Sequence, residues 1–232
     1  MLALASVAFV PTTNNDINTS IATHIEDLSG TGPSGGLISL NVSAENDAPT
    51  ATNLTQVQSY TEGASSVALD DIVVSDVDTG ETITATLTLA NPVAGVLTTG
   101  TFGTTSSDYD SGTGVWSVTG SVSDVNAALT AVAFVPTTNN DINTSITTHI
   151  EDFSGTGPTD GLISLNVSAE NDAPTATNLT QVQTYTEGTS SVALDDIVIS
   201  DVDTGETITA TLTLANPVAG ELTTGTLGAT NQ

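Results

Sequence analysis

Leu37-Ile38-Ser39-Leu40-Asn41-Val42-Ser43-Ala44-Glu45-Asn46-Asp47-Ala48-Pro49 is the stretch on which the reading of the fold turns. Apolar and polar side chains alternate through Leu37 to Val42, the period of a strand with one buried face. An acidic joint follows, and Pro49 removes a ladder N–H and stops the pairing. The whole stretch returns unchanged as Leu162 to Pro174, 125 residues later (162 − 37).

Working outward, Val7-Ala8-Phe9-Val10-Pro11 returns at the same spacing as Val132-Ala133-Phe134-Val135-Pro136. Residues 7–107 and 132–232 differ at about a dozen positions, mostly mildly: Leu28 for Phe153, Ala64 for Thr189, Val74 for Ile199. A repeat this regular is the signature of a tandem array. With joints placed after each alternating strand, residues 1–47 are the C-terminal part of a preceding repeat. Residues 48–172 are one complete repeat, and 173–232 are the N-terminal part of a following one. Residues 108–125, with the only tryptophan, Trp116, occur once. The expectation is either a chain cut from something longer or end pieces that complete one another between molecules. Met1 to Val10 lack the charged n-region and long apolar run of a signal peptide, so the expectation is a chain either exported by another route or cut from something longer.

Within the complete repeat, short strand signals recur at Ser66–Leu69, Asp71–Val74, Thr82–Leu89, Val115–Val118, Ala131–Val135, Ser145–Ile150 and Leu162–Val167. Turn formers separate them, as in Asp78-Thr79-Gly80 and Ser154-Gly155-Thr156-Gly157-Pro158. Val122 to Leu129 reads as one helical turn. The predicted fold is all-β: tandem Greek-key β-sandwiches, each large enough to bury its own core. Trp116, Phe134, Val132, Ile83, Leu87, Ile146, Ile150, Ile163 and Leu165 are the predicted core.

Composition restricts the chemistry. The chain has no Lys, Arg or Cys against 27 acidic residues, a net charge of -27. Disulfides are excluded, and a nucleic-acid surface needs basic side chains that are absent. No run of about 18 apolar residues exists to span a membrane. An apolar fraction of 38% is too high for a solvated polyanion. Carboxylate repulsion must therefore be relieved by bound cations or salt, and calcium prefers several carboxylate and carbonyl oxygens.

The acids cluster rather than scatter: Glu26-Asp27, Glu45-Asn46-Asp47, Glu62, Asp70-Asp71, and Asp76-Val77-Asp78 followed by Glu81, each repeated in the second copy. Asp70-Asp71 reads as a solvated turn. The order of Ile25-Glu26-Asp27, Gly30-Thr31-Gly32-Pro33, the Leu37–Val42 strand and Asn46-Asp47-Ala48-Pro49 resembles the end of a cadherin domain. Glu62 and Asp76-Val77-Asp78-Thr79-Gly80 are similar to the opening of the next one. Asn126-Ala127-Ala128-Leu129 leading into Ala133-Phe134-Val135-Pro136 resembles the cadherin-like repeats of large, type I secreted bacterial surface adhesins. That resemblance implies calcium bound by Asp27, Asn46, Asp47, Glu62, Asp76 and Asp78 at a first joint. It implies a second set in Asp152, Asn171, Asp172, Glu187, Asp201 and Asp203. Ala44 and Ala169 stand where cadherins carry a further acid, a place Glu45 or Glu170 would have to fill.

The expected function is structural: an extracellular, bacterial-surface extender repeat stiffened by calcium, with adjacent repeats of the same chain as partners. A calcium-dependent sugar- or protein-binding module, and like chains joined end to end, stand as alternatives. His24 and His149 read as surface residues beside Glu26 and Glu151. Catalysis is not expected, since every carboxylate pair recurs at a joint and no G-x-S-x-G is present.

Overall fold

Ile83, Ala85, Leu87 and Leu89 are buried at alternate positions of one strand, and threonines take the intervening places. β-branched and apolar residues at period two fit a pleated surface with one dry face. This strand is the spine of the computed structural model, which describes residues 4–223. The chain divides into two units, residues 1–168 and 169–232.

The first unit opens with the hairpin of β1 (Thr19–Thr23) and β2 (Gly36–Leu40), antiparallel with Thr19 opposite Leu40. The complete repeat follows with β3 (Thr50–Thr52), β4 (Gln56–Thr61), β5 (Val67–Ala68), β6 (Val73–Ser75) and the spine β7 (Ile83–Leu89). Next come β8 (Gly95–Leu97), β9 (Thr101–Phe102), β10 (Thr105–Ser106), β11 (Asp108–Asp110) and β12 (Val115–Gly120). Helix α1 (Val122–Ala131), β13 (Ala133–Pro136), β14 (Thr144–Asp152) and β15 (Gly161–Ser168) close the unit.

The main sheet has the order β11-β12-β7-β14-β15-β4. All its pairings are antiparallel except β15 with β4, which run parallel. A second layer consists of β5-β13-β8 with the pair β3-β6, and α1 packs against β6, β7, β9 and β12. The two layers enclose one core, and the fold is an all-β sandwich. Every predicted core residue is buried, with Trp116, Phe134, Ile83, Leu87, Ile146, Ile150, Ile163 and Leu165 each at 0% exposure. Trp116 satisfies its indole N–H on the Thr98 carbonyl at 2.9 Å.

The short strands β3 and β8 to β11 fall outside the strands the sequence announces, and two further features differ from that reading. Val122–Ala131 is a ten-residue helix rather than a single turn. Ser121 caps it, its Oγ accepting the Asp124 N–H at 3.2 Å, and Val125, Ala128 and Leu129 anchor it in the core. Strand β4 has no apolar alternation to announce it, because its inward residues are Gln56 and Tyr60. Gln56 satisfies itself on backbone: Nε2 donates to the Asn53 and Asp70 carbonyls, and Oε1 accepts the Asp70 N–H, all at 2.8 Å. Tyr60 meets Phe134 edge-on and accepts a hydrogen bond on its hydroxyl from Asn140.

The second unit repeats the local geometry of 48–98. Its pair β16 (Thr175–Ala176) and β17 (Ile199–Ser200) has the register of β3 and β6, Thr175 opposite Ser200 as Thr50 is opposite Ser75. Asn178 keeps the positive φ of Asn53 (58° and 57°), and Pro217–Ala219 repeats the short helix at Pro92–Ala94.

Candidate metal centre

Strands β7 and β14 are antiparallel neighbours, with Asp152 opposite Ile83. The start of one and the end of the other therefore share one end of the sandwich. The loop before β7 carries Asp76, Asp78 and Glu81, and the turn after β14 begins at Asp152.

Asp152 is 3% exposed, and its carboxylate is surrounded by donors. Oδ1 accepts the N–H groups of Ser154 (2.8 Å) and Thr156 (2.9 Å) and the Ser154 hydroxyl (2.7 Å). Oδ2 accepts the Thr156 hydroxyl at 2.6 Å and the Asn46 amide at 2.9 Å. Burial alone would raise its pKa. The hydrogen bonds from Asn46, Thr156 and Ser154 outweigh burial and hold it well below the usual carboxylate range. The chain thus carries a buried, ionised carboxylate with no cationic side chain to balance it.

Asp47 donates its N–H to Asp78 Oδ2 (2.7 Å), and Asp78 donates its N–H to Asp76 Oδ1 (3.0 Å). Backbone donors therefore draw the joint and the loop together. The second oxygens of Asp76 and Glu81 are buried and have no hydrogen-bond partner. Burial, then the charges of Asp78, Asp76 and Asp152, pushes the Glu81 pKa up. Asp16, Ala44, Glu45, Asn46, Asp78, Thr79 and Glu81 line a cleft of about 380 Å³ at this end.

The second unit rebuilds part of the arrangement. Asp172 donates its N–H to Asp203 (2.6 Å), and Asp203 donates to Asp201 (3.2 Å). Asp201 Oδ2 is buried without a partner, as Asp76 Oδ2 is. Oxygens of Asp201, Asp203 and Glu206 lie within 4.8 Å of one another. A wholly oxygen donor set of this charge, with unpartnered buried oxygens, fits a hard divalent cation such as calcium.

Of the residues expected at the first joint, Asn46, Asp47, Asp76 and Asp78 lie at this end. Two expected groupings differ from the observed placement. Asp152, expected in the second set, is the partner of Asn46, whereas Asp27 keeps its bonds to Ser29 and Thr31 inside its own exposed turn. The β7–β14 pairing is the cause, since it brings the turn after β14 to the end where the complete repeat begins. Glu62 follows β4, which runs parallel to β15, and donates its N–H to Ser168 at the exit end. Asp152 is at the other end of β14 from Thr144, which pairs with Leu165 of β15, so at least ~26 Å of strand separates it from Glu62 at ~3.3 Å per residue. In the second unit, Asn171 donates to the carbonyl of its neighbour Asp172, while Glu187 lies in an exposed turn.

Glu45, which the sequence offers in place of the acid missing at Ala44, lines the site, and so do Glu81 and Asp16, which were not expected as ligands. Glu81 belongs to the Asp76-Val77-Asp78 acidic cluster in sequence. Asp16 sits in Asn14-Asn15-Asp16, a run indistinguishable from turn chemistry. His149 bonds Asp160 (2.6 Å) and Glu151 (3.4 Å), and His24 bonds Glu26 (3.0 Å).

Among solved structures, the chain is similar to the crystal structure of the human desmocollin-1 ectodomain, at 16% sequence identity and a TM-score of 0.32. The similarity covers 62% of this chain and 25% of that one, so the chain spans about a quarter of its length. No protein-family model matches the chain, and no curated protein matches it in sequence. No helix among the described residues is long and apolar enough to cross a membrane.

Proposed function

We propose that this chain is a calcium-stiffened extender repeat of a long extracellular bacterial adhesin, spacing a distal binding domain away from the cell. The observation that carries the reading is the pair of buried, unpartnered oxygens on Asp76 and Glu81, set among Asp78 and Asp152 in a chain without Lys or Arg. Such a cluster is costly without a counter-ion, since desolvation and mutual repulsion both oppose ionisation. A divalent cation removes both costs and ties the joint at Asn46-Asp47 to the loop of the following repeat.

The action is conformational. Without calcium the acidic side chains repel and the joint flexes; with calcium, oxygens from the joint and the sandwich share an ion. Extracellular modules of this kind bind at ~10⁻⁴–10⁻³ M, so they fill outside the cell and stay empty in the cytosol. A chain of this kind crosses a secretion channel unfolded and folds where calcium is abundant. Near-identical repeats suit a spacer, because length needs no variety of sequence.

The test is calorimetry and sedimentation of the full chain in calcium and in chelator. Calcium raises the melting temperature and changes the frictional ratio, and Asp78→Asn weakens both responses. Melting and hydrodynamic length that ignore calcium removal would overturn the proposal.

A further inference from the structure

His149 stands on the outer face of β14, and each of its two ring nitrogens meets a carboxylate oxygen. Nδ1 lies 2.6 Å from Asp160 Oδ1, in the turn that leads into β15. Nε2 lies 3.4 Å from Glu151 Oε2, two residues along the same strand. Both acids belong to the complete repeat, so the cluster lies wholly inside one sandwich. A neutral imidazole carries one N–H and one lone pair, whereas an ionised carboxylate can only accept. The neutral ring therefore satisfies one acid and turns its lone pair on the other. Only the imidazolium bonds both, with a charge that no Lys or Arg of this chain supplies.

The neighbouring strands add no charge beside the ring. On the same face β7 carries Thr84, Thr86 and Thr88, with Thr86 directly opposite His149, and β12 beyond it carries Ser117 and Thr119. Leu162 of β15 stands opposite Thr147. Asp108 of β11 shares the row through Ser117 and Thr86 but is three strands off, ~14 Å at ~4.8 Å per strand. The hydrogen bond to Asp160, then that to Glu151, raises the ring's pKa above its ordinary 6.5 by more than burial lowers it. The counterpart of His149 one repeat earlier, His24, bonds Glu26, and Gly35 stands in the place of Asp160. The two-sided arrangement is thus not carried by the repeat as such.

We infer that His149 is a pH-operated clamp on the turn between β14 and β15. Charged, it bridges Glu151 and Asp160 and pins the returning leg of the turn to the strand; neutral, it lets one of them go. The turn begins at Asp152 and runs into Gly161, whose N–H the Thr148 hydroxyl accepts at 3.1 Å. Folding raises the ring's pKa, so the contribution of the clamp is complete below the unfolded value of 6.5 and is lost as pH rises through the folded one. The turn therefore tightens on acidification. The clamp rests on these two ion pairs and not on the calcium reading.

The test is proton NMR of the full chain in chelator, with His24→Gln identifying the His149 ring signals. Amide protection across the turn is then read on both sides of the ring's titration. Asp160→Asn keeps the size of the side chain and removes its charge. It is expected to move the His149 midpoint down toward 6.5, and Glu151→Gln to move it less, in the order of the two hydrogen bonds. In wild type, protection at Gly161 falls severalfold as the ring loses its proton, and Asp160→Asn abolishes that fall. A midpoint that ignores Asp160→Asn, or protection at Gly161 that ignores the ring's titration, overturns the clamp. Both readouts are taken without metal, so their failure is separable from failure of the calcium response.

Discussion

Asn46 donates from Nδ2 to the Asp152 carboxylate at 2.9 Å, across 106 residues of sequence. One residue belongs to the joint that enters the complete repeat, and the other ends a strand of its main sheet. The bond therefore fastens the linker to the sandwich, and it does so on a group that must stay ionised to accept all its donors. Asp152→Asn keeps the size of the side chain and removes the charge. It costs about 1.5–3 kcal/mol in chelator, the range for hydrogen bonds to a charged group, measured by urea unfolding followed through Trp116 fluorescence. The folded pKa lies below the ordinary value of 3.8, so Asp152 contributes stability above that pH and loses it as pH falls below. The difference between wild type and Asp152→Asn is full at neutral pH and shrinks below about pH 4. A difference independent of pH would show that the charge is not what the donors hold.

Glu81 has the opposite sign. Burial and the charges of Asp78, Asp76 and Asp152 raise its pKa above the ordinary 4.5, so ionising it destabilises the fold as pH rises. Glu81→Gln is therefore more stable than wild type in chelator at neutral pH and equal to it below the ordinary value. In calcium the order reverses, because the variant has lost a ligand oxygen. Thermal melts of both proteins with and without calcium check this. A variant less stable than wild type in chelator would sink the repulsion account.

The two acids also show what was legible in the sequence. The period-two strands and the 125-residue repeat were enough to identify the sandwich and nine residues of its core, because apolar alternation is local. The acidic motifs stand out in the sequence for the same reason. Which loops share an end is decided by strand direction, and no local pattern carries that. Thus Asp27 was grouped with Asn46 although its counterpart Asp152 is the partner, and Glu62 was grouped with a site at the other end of its strand. β4 escaped notice because Gln56 turns a polar amide inward and satisfies it on backbone, where sequence patterning expects an apolar residue.

Calcium itself gives a further expectation. With dissociation constants of ~10⁻⁴–10⁻³ M, 10–100 times that concentration of free ion stabilises the fold by about 1.4–2.7 kcal/mol per site. Sodium chloride at matched ionic strength screens the surface charge but cannot bridge the Asp76 and Glu81 oxygens. Calorimetry in calcium, in magnesium and in matched sodium separates the two contributions, and equal melting temperatures in calcium and sodium would reduce the effect to screening.

Asn126 supplies the last expectation, and it concerns how α1 is tied to the sheet. Its Nδ2 donates to the Val74 carbonyl at 2.9 Å and its Oδ1 accepts the Val74 N–H at 2.8 Å. The side-chain amide thus serves both backbone groups of one β6 residue, as a neighbouring strand would. Val74 is 1% exposed, so water cannot take over when the amide is removed. Asn126→Ala leaves a buried donor and a buried acceptor unsatisfied, at about 1–3 kcal/mol for each group. The loss falls on β3, β6 and the loop to Asp76, because β6 leads straight into it. Hydrogen exchange in Asn126→Ala therefore accelerates at Val74 and its neighbours before it does in β7 and β14, and calcium affinity weakens with it. Uniform acceleration across the main sheet would mean that the amide supports the whole core rather than the edge that carries the acidic loop.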